Sequence, residues 1–179
     1  FTTHDFQCGD PFTDFRDEKI YNTVEIGNQC WMADNLNFET INSWCYGDNS
    51  INCNSYGRLY DWNAAMTGAC LDGWHLPSDN EWKILEGTVD SQYPVGSPVW
   101  DDLGWRGYDV GMNLKSTHMW YTGGGTNLFN FKALPAGARS STGNFGGEYL
   151  VTYFWTTNSY TGDSAVIRKL YNGHDDAFR

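Results

Sequence analysis

Hydrophobic and polar positions alternate most clearly near the start of the chain. Ile20, Val24 and Ile26 would share one face of an extended segment, because the side chains of a strand alternate with a period of two. A Gly-Asn pair at 27–28 supplies a turn, and residues 29–32 can return antiparallel. This pattern predicts a hairpin with one buried face.

The segment 56–66 has the spacing of an amphipathic helix. Leu59, Trp62 and Met66 recur at three- and four-residue steps and would form one apolar stripe. Gly68 follows and would end the segment. We therefore predict a first helix here.

A capping box predicts a second helix. The Ser78 side chain can accept a hydrogen bond from the backbone N–H of Glu81, while the Glu81 side chain reaches back to the backbone of Ser78. Trp82, Leu85 and Val89 follow at helical spacing and would form its buried stripe.

The segment 92–125 combines many Pro and Gly residues with large aromatic side chains. The aromatic residues are Trp100, Trp105, Tyr108, Trp120 and Tyr121. Each such side chain buries about 150–250 Å², so the segment is predicted to be a long ordered loop region rather than a linker. Long ordered loops usually carry function.

Three short strands are predicted after this region, at 129–134, 150–156 and 164–171. Residues 150–156 are apolar on both faces, which is typical of a central strand. Together with two helices and a hairpin, these strands indicate an α+β fold with small antiparallel sheets. The length of 179 residues suits a single domain over 1–179.

Charge and composition narrow the possible partners. The chain has 11 Lys and Arg residues against 22 Asp and Glu residues, a net charge of −11, which argues against nucleic acid as a partner. A 17% aromatic share with 18% charged residues excludes disorder as the default. No apolar run approaches the ~20 residues of a transmembrane segment. Because the chain begins at Phe1, we expect a processed chain or a fragment.

The five cysteines favour an oxidising compartment. Cys45 and Cys53 flank a short polar segment that a disulfide would close, and Cys8 and Cys30 bracket the region of the predicted hairpin and could pair likewise. Cys70 is then left over. Five reduced thiols in a cytosolic protein are the alternative. The spacing of Cys and His does not favour a zinc site.

Calcium is the most plausible cofactor, because side-chain oxygens recur at alternating positions in the segment between Cys45 and Cys53. These oxygens belong to Asp48, Ser50, Asn52 and Asn54. Hard cations prefer such oxygen ligands, but the segment lacks the bidentate acid that calcium loops carry, so a solvated polar loop is the alternative. Asp101 and Asp102 with Asp109 form a second acidic cluster.

Aromatic residues of the loop region are candidates for ligand binding, since sugars stack on aromatic faces and hydrogen-bond to amides and carboxylates. The candidates are Trp100, Trp105, Trp120 and Tyr121. Four other tryptophans lie in predicted elements and are expected to pack in the core instead. These are Trp31, Trp62, Trp74 and Trp82.

Six sequence blocks occur in an order that resembles a known family. The blocks are Cys8–Asp14, Ile26–Leu36, Tyr56–Trp62, Gly73–Ser78, Glu81–Trp82 and Ala133–Gly137. They resemble the Fibrobacter succinogenes major paralogous domain, which occurs in secreted and lipoprotein-anchored proteins of Fibrobacter and Bacteroidetes. The resemblance implies a C-type-lectin-like fold with two helices, small sheets and long loops, in a secreted or cell-surface protein.

The resemblance also implies a difference at the end of the chain. Members of the family continue past the step that corresponds to Phe178-Arg179 into a last strand that contains a cysteine. We therefore expect Cys70 to lack the partner that this cysteine would provide. We also expect an open sheet edge beside the strand of Leu170, where a strand from another chain could add.

Three functions are considered. The first is a non-catalytic extracellular or cell-surface module for binding or adhesion, with a glycan or surface protein as its partner. The sequence does not support the calcium-dependent sugar binding of true C-type lectins, because their tripeptides Glu-Pro-Asn and Gln-Pro-Asp do not occur. The second is a structural subunit of a filament or surface assembly, in which another copy of the chain completes the open edge.

The third possibility is an oxidase, because segment 75–82 resembles that of formylglycine-generating enzymes. Those enzymes need two reactive cysteines near the C-terminus, whereas the last cysteine here is Cys70. Ser78 is explained as a helix cap, and His75 between two apolar residues is expected in the core. We therefore expect no catalysis.

Overall fold

The computed structural model describes residues 6–161 and 164–179 as an α+β protein. Its strands are β1 Phe12–Asp14, β2 Lys19–Tyr21, β3 Thr23–Ile26, β4 Gln29–Met32, β5 Ser43–Trp44, β6 Leu59–Tyr60, β7 Trp105–Arg106, β8 Ala136–Arg139, β9 Phe145–Glu148, β10 Val151–Ser159, β11 Ala165–Tyr171 and β12 Ala177–Phe178. Its helices are α1 Ser50–Tyr56, α2 Trp62–Ala64, α3 Asp79–Val89 and α4 Val110–Leu114. None of these helices is long and apolar enough to cross a membrane.

The largest sheet is mixed and has the strand order β7-β12-β11-β10-β8-β9. Its strands pair antiparallel except for β8 and β10, which run parallel where Gly137 faces Thr152. Three antiparallel pairs, β1-β2, β3-β4 and β5-β6, form separate small sheets. The helix α3 packs on one face of the large sheet and provides the centre of the core.

The predicted hairpin is confirmed as β3 and β4, whose register runs from Thr23 opposite Met32 to Ile26 opposite Gln29. Ile20 does not share its buried face and is 67% exposed. The reason is that β2 is a separate strand that pairs with β1 and turns Tyr21 inward instead.

The second predicted helix is confirmed as α3, and both hydrogen bonds of its capping box are formed. Trp82, Leu85 and Val89 are all buried in the main core. Gly87 is required near the end of this helix, because a Cβ atom there would lie 2.6 Å from the backbone of Val95.

The helix predicted over 56–66 is wrong in its first half. Gly57 ends α1 with a positive φ, and the next residues form β6, which pairs with β5. A new helix begins only at Trp62, where the Asp61 side chain accepts a hydrogen bond from the backbone of Ala64. The chain then continues as one wide helical turn over Ala65–Ala69.

The central position predicted for residues 150–156 is confirmed, since β10 lies between β11 and β8. Residues 164–171 form β11 as predicted, whereas 129–134 contribute a single bridge between Ala133 and Lys115 instead of a strand. The expected open edge beside Leu170 is also wrong. There β12 pairs with β11, with Phe178 opposite Lys169, and β7 pairs with β12 in turn.

The long loop region is ordered by buried groups, as predicted. Trp100 and Trp120 anchor it in the core. The carboxylate of Asp90, just after α3, accepts hydrogen bonds from five backbone N–H groups of the region. The donors are Gln92, Tyr93, Tyr108, Asp109 and Val110.

A cluster of buried charges holds α3 against the sheet. Glu86 accepts hydrogen bonds from Arg106 of β7 at 2.7 and 2.9 Å and from Arg168 of β11 at 2.9 Å. The three side chains are each 1% exposed. Burial lowers the pKa of Arg106 to about 10, which leaves the group charged at neutral pH.

Asp79 extends this cluster to the end of the chain. It forms ion pairs with Arg168 and Arg179, both at 2.8 Å. Burial alone would raise the pKa of Asp79, but hydrogen bonds from Arg179 and Arg168 hold it well below its usual range. Asp79 therefore stays ionised down to acidic pH.

Both predicted disulfides, Cys8–Cys30 and Cys45–Cys53, are present. The first joins the N-terminal segment to β4, and the second ties the start of a short turn to α1. Cys70 is a free thiol.

The first prediction concerns this connectivity. We expect non-reduced peptide mapping by mass spectrometry to find the peptide of Cys45 joined to that of Cys53, and alkylation without reduction to modify Cys70 alone after denaturation. Labelling of Cys45 and Cys53 in the native, unreduced protein would contradict the bond.

The second prediction concerns the capping box. Replacing Ser78→Ala removes the acceptor for the backbone of Glu81 and should lower the free energy of unfolding by about 1 kcal/mol. Chemical denaturation measures the change. Asn80→Ala, at the exposed second residue of the same helix, is the control and should leave stability nearly unchanged; equal effects of the two substitutions would show that the cap contributes nothing.

The third prediction concerns the buried charges. Glu86→Gln leaves the buried guanidinium of Arg106 without a carboxylate and that of Arg168 with Asp79 alone, and we expect it to cost about 3–5 kcal/mol of unfolding free energy. The exposed Glu25→Gln, which also removes one negative charge, should have little effect. Equal stability of the two variants would show that the cluster does not hold α3 in place.

Candidate functional site

A large aromatic cleft of about 1400 Å³ opens beside the core and is the candidate functional site. One wall is the β3-β4 hairpin, and a second is formed by β5, β6 and α2. Residues 69–77 close one end, and β8, β10 and β11 of the large sheet contribute the floor. The cleft therefore lies where four parts of the fold meet.

Indole rings are the most prominent groups on these walls. The tryptophans that line the cleft are Trp31, Trp44, Trp62, Trp74, Trp82 and Trp155. Two of them are fixed by their own N–H groups: Trp62 donates to the carbonyl of Thr156 and Trp155 to that of Tyr60, both at 2.8 Å. These hydrogen bonds join α2 and β6 to β10 and hold the rings in place without a ligand.

The core continues directly into the cleft through Trp82. Its ring lies 5.1 Å from that of Trp31 and 5.2 Å from that of Phe154, and its buried indole N–H has no acceptor. At the N-terminal end, Trp74 stacks on Phe12 with 4.9 Å between ring centroids.

Two arginines, Arg58 and Arg139, also line the cleft. The guanidinium group of Arg139, on β8, lies 4.1 Å from the ring centroid of Trp44 on β5. Arg58 directly precedes β6, the strand that pairs with β5, and its guanidinium donates to the carbonyl and hydroxyl of Ser43, the residue before Trp44. The Nε atoms of Arg58 and Arg139 are both buried without an acceptor.

The carboxylate of Glu81 lines the cleft but is already bound by neighbouring residues. It accepts hydrogen bonds from the backbone and the hydroxyl of Ser78 at 2.7 and 2.8 Å, and it lies 2.8 Å from His75. Burial would raise the pKa of Glu81, but the Ser78 and His75 contacts lower it. We expected His75 in the core, and this prediction is wrong. Its side chain is 69% exposed and turns outward to the Glu81 carboxylate.

Cys70 also lines the cleft, and its environment keeps it unreactive. Burial raises the pKa of the Cys70 thiol, and Arg16 is the one group that opposes this rise. The guanidinium of Arg16 is itself bound to Asp14 and to the carbonyl of Cys70. The thiol is therefore protonated at neutral pH, and a thiol is a poor nucleophile compared with a thiolate.

Comparison with known proteins gives one result. The family model described as the Fibrobacter succinogenes major domain matches residues 24–176. The chain belongs to this family. No curated protein and no solved structure matches the chain.

The matched range of this Fibrobacter succinogenes major domain contains nearly all of the cleft. Only Phe6, Phe12 and Thr13 of its lining lie outside residues 24–176. The walls that position the indoles are thus part of the family domain itself.

The four loop-region residues that we predicted for ligand binding do not form one site in this Fibrobacter succinogenes major domain, and none of them lines the cleft. Trp100 is 1% exposed and Trp120 is 5% exposed. Both rings pack in the core, so neither offers a face to a ligand, and the prediction for these two residues is wrong.

Trp105 lies on the outer face of the large sheet, away from the core. The register places it beside Phe178, which faces Lys169, and Lys169 in turn faces Tyr153. The ring of Trp105 is covered by His174, with 3.7 Å between centroids. Tyr121 is 75% exposed in a turn of its own.

The calcium site predicted over 48–54 is not assembled. The segment is not a loop, because Ser50, Asn52 and Asn54 belong to α1, and residues two apart on a helix point in different directions. Asn52 instead donates a hydrogen bond to the carbonyl of Tyr46, while Asp48 precedes the helix.

The second acidic cluster is also dispersed. Asp101 is paired with Lys83 at 2.6 Å, and Asp109 accepts a hydrogen bond from the backbone of Ser91. Asp102 is exposed. Within residues 6–161 and 164–179, no group of three or more His, Cys, Asp or Glu side chains is arranged to hold a metal ion.

Sequence reasoning missed the cleft because it assigned the tryptophans of regular elements to the core. Trp82 does pack in the core, but Trp31, Trp62 and Trp74 are only half-buried and line the cleft. The available signal was their density, since an excess of indoles over what one small core can enclose indicates rings on a surface.

Proposed function

We propose that this domain is a non-catalytic extracellular binding module that takes a glycan in the aromatic cleft. The observation that carries the proposal is the cleft itself, a concave site of about 1400 Å³ lined by six indole rings. Sites for small molecules are typically concave, mostly apolar and formed before the ligand arrives.

The lining suits a saccharide because it offers ring faces together with planar polar groups. Aromatic faces bind the C–H surfaces of sugar rings, while amides and carboxylates accept or donate hydrogen bonds at the rim. Asn28 and Asp72 supply such groups beside the rings, whereas the amides of Gln29 and Asn35 already donate to the carbonyls of Glu81 and Tyr56. The fixed orientation of Trp62 and Trp155 also reduces the entropy lost on binding.

We further propose that the architecture is C-type-lectin-like. The mixed sheet, the capped helix α3 packed against it and the long ordered region between α3 and β8 support this assignment. The resemblance of the six sequence blocks to a family with that fold supports it as well.

The two disulfides support a secreted or cell-surface location, because such bonds persist in oxidising compartments. The resemblance of the sequence blocks to a family found in secreted and lipoprotein-anchored proteins supports the same location.

Two features of the cleft support binding rather than catalysis. The raised pKa of Cys70 leaves it protonated, so the cysteine chemistry of a formylglycine-generating enzyme has no thiolate here. Glu81 is held ionised by Ser78 and His75, so it is not poised as a general acid.

The alternative role, a subunit of a filament or surface assembly, drew its support from an open edge beside Leu170. Since β12 pairs with β11 at that position, this support is lost. The cleft remains the stronger argument, and we propose binding in preference to assembly.

The fourth prediction tests the proposed site. On an array of neutral and acidic oligosaccharides, the wild-type domain should bind at least one glycan. Replacement of Trp62→Ala or Trp74→Ala should then weaken that binding about tenfold, the equivalent of about 1.4 kcal/mol, because each removes one ring from the cleft.

Tyr121→Ala is the matched control, since it removes an exposed aromatic ring outside the cleft. Thermal unfolding of each variant shows that it is folded. Binding that is lost in the Tyr121 variant but retained in both tryptophan variants would place the ligand on the loop region instead of in the cleft.

A further inference from the structure

Arg139 differs from the other arginines in the part of the chain that the structure describes. Five arginines are paired with carboxylates, namely Arg16, Arg58, Arg106, Arg168 and Arg179. Within residues 6–161 and 164–179, Arg139 has no carboxylate within 4.0 Å and makes no side-chain hydrogen bond to an acceptor. Lys115 and Lys169 also lack such a carboxylate in the described part of the chain, but of these three cations only Arg139 lines the cleft.

The position of Arg139 is fixed by rings instead of by charges. Its guanidinium group lies 4.1 Å from the centroid of Trp44 and 5.7 Å from that of Phe145. Stacking on aromatic faces holds a guanidinium plane while leaving its N–H edge available, because the ring contacts the face and not the donors. The buried Nε atom of Arg139 has no acceptor in the described structure.

Arg58 lines the same cleft and donates long hydrogen bonds of 3.4 and 3.5 Å to Ser43, which precedes the Trp44 that stacks on Arg139. Arg58 pairs with Glu39 at 2.5 Å, but that carboxylate is 76% exposed, and such surface pairs contribute only about 0–1 kcal/mol. The Nε atom of Arg58 is also buried without an acceptor. Both Nε atoms are buried and closed to a ligand, but the two Nη atoms of Arg139 are not buried and make no hydrogen bond in the described structure, so they can donate to an acceptor in the cleft.

Apart from the exposed Asp72, which pairs with no cation in the described structure, the carboxylates that line the cleft are engaged elsewhere. Asp34 accepts hydrogen bonds from Asn22 and Lys132, and Asp61 caps α2. Glu81 is bound within the capping box. The positive charge of Arg139 is therefore available to an anionic ligand.

We propose that Arg139, stacked on Trp44 and assisted by Arg58, binds the carboxylate of an acidic sugar whose ring lies on the indoles of the cleft. The planar fork of a guanidinium group matches a carboxylate with two parallel hydrogen bonds. This inference rests on the proposed function and names its ligand class: a uronic-acid-containing glycan.

The test compares two probes with the same sugar backbone, one with free carboxylates and one with neutral methyl esters. Short oligogalacturonate carries one carboxylate per sugar, and its methyl-esterified form has the same backbone without charge. By isothermal titration calorimetry, the wild-type domain should bind the acid form at least tenfold more tightly than the ester.

The variant Arg139→Gln should weaken binding of the acid about tenfold or more and leave binding of the ester unchanged. Arg139→Lys should fall between, because it keeps the charge and loses the fork. Neither substitution removes an ion pair of the described structure, so both variants should fold, and thermal unfolding checks this. Lys19→Gln, which removes a positive charge outside the cleft, should change neither affinity.

The outcomes separate the two proposals. One outcome is that the acid and the ester bind with equal affinity, with binding weakened by Trp62→Ala and unchanged by Arg139→Gln. In that case the cleft binds glycans, but the proposed carboxylate site is wrong. If neither form nor any glycan of the array binds, the proposed function itself is wrong. If oligoglutamate binds as tightly as oligogalacturonate, the site recognises acidic peptides, and the assignment to a sugar is overturned.

Discussion

The fold depends on a carboxylate that is buried among arginines. Glu86 lies on the inner face of α3, and its partners Arg106 and Arg168 come from β7 and β11, two strands separated by β12. Removing three charged groups from water is costly, so the arrangement is stable only when every partner is in place. This requirement fixes α3 on the sheet in one position and explains why the last strand fits between β7 and β11.

The cleft follows from that position. Trp82 lies on α3 one turn before Glu86, so the helix that the charges hold also places an indole between the core and the cleft. On the opposite wall, N–H bonds from Trp62 and Trp155 join α2 and β6 to β10. A cavity bounded by such constrained rings is preformed, and binding in it requires little reorganisation. Arg139 is also held in place before a ligand binds, because its guanidinium group stacks on Trp44 instead of pairing with an acid.

Local signals in the sequence predicted part of this structure well. The capping box and stripe of α3, the β3-β4 turn, the central strand and the Cys45–Cys53 disulfide depend on residues close in the chain or on strict periodicity. The cleft depends on contacts between distant segments, such as Trp155 with Tyr60, and no local pattern reveals which face of an indole is left uncovered. The failed calcium prediction has a different origin: oxygens on every second residue share one side only in an extended segment, and they diverge once the segment forms α1.

The central claim is that the cleft, with its indoles already in place, is the binding surface. The nine indole N–H groups provide nine resolved reporters in a proton–nitrogen correlation spectrum. During titration with oligogalacturonate, the signals of the cleft indoles Trp44, Trp62 and Trp155 should shift, while those of Trp100, Trp105 and Trp120 stay in place. Shifts confined to Trp105 with none in the cleft would contradict the account.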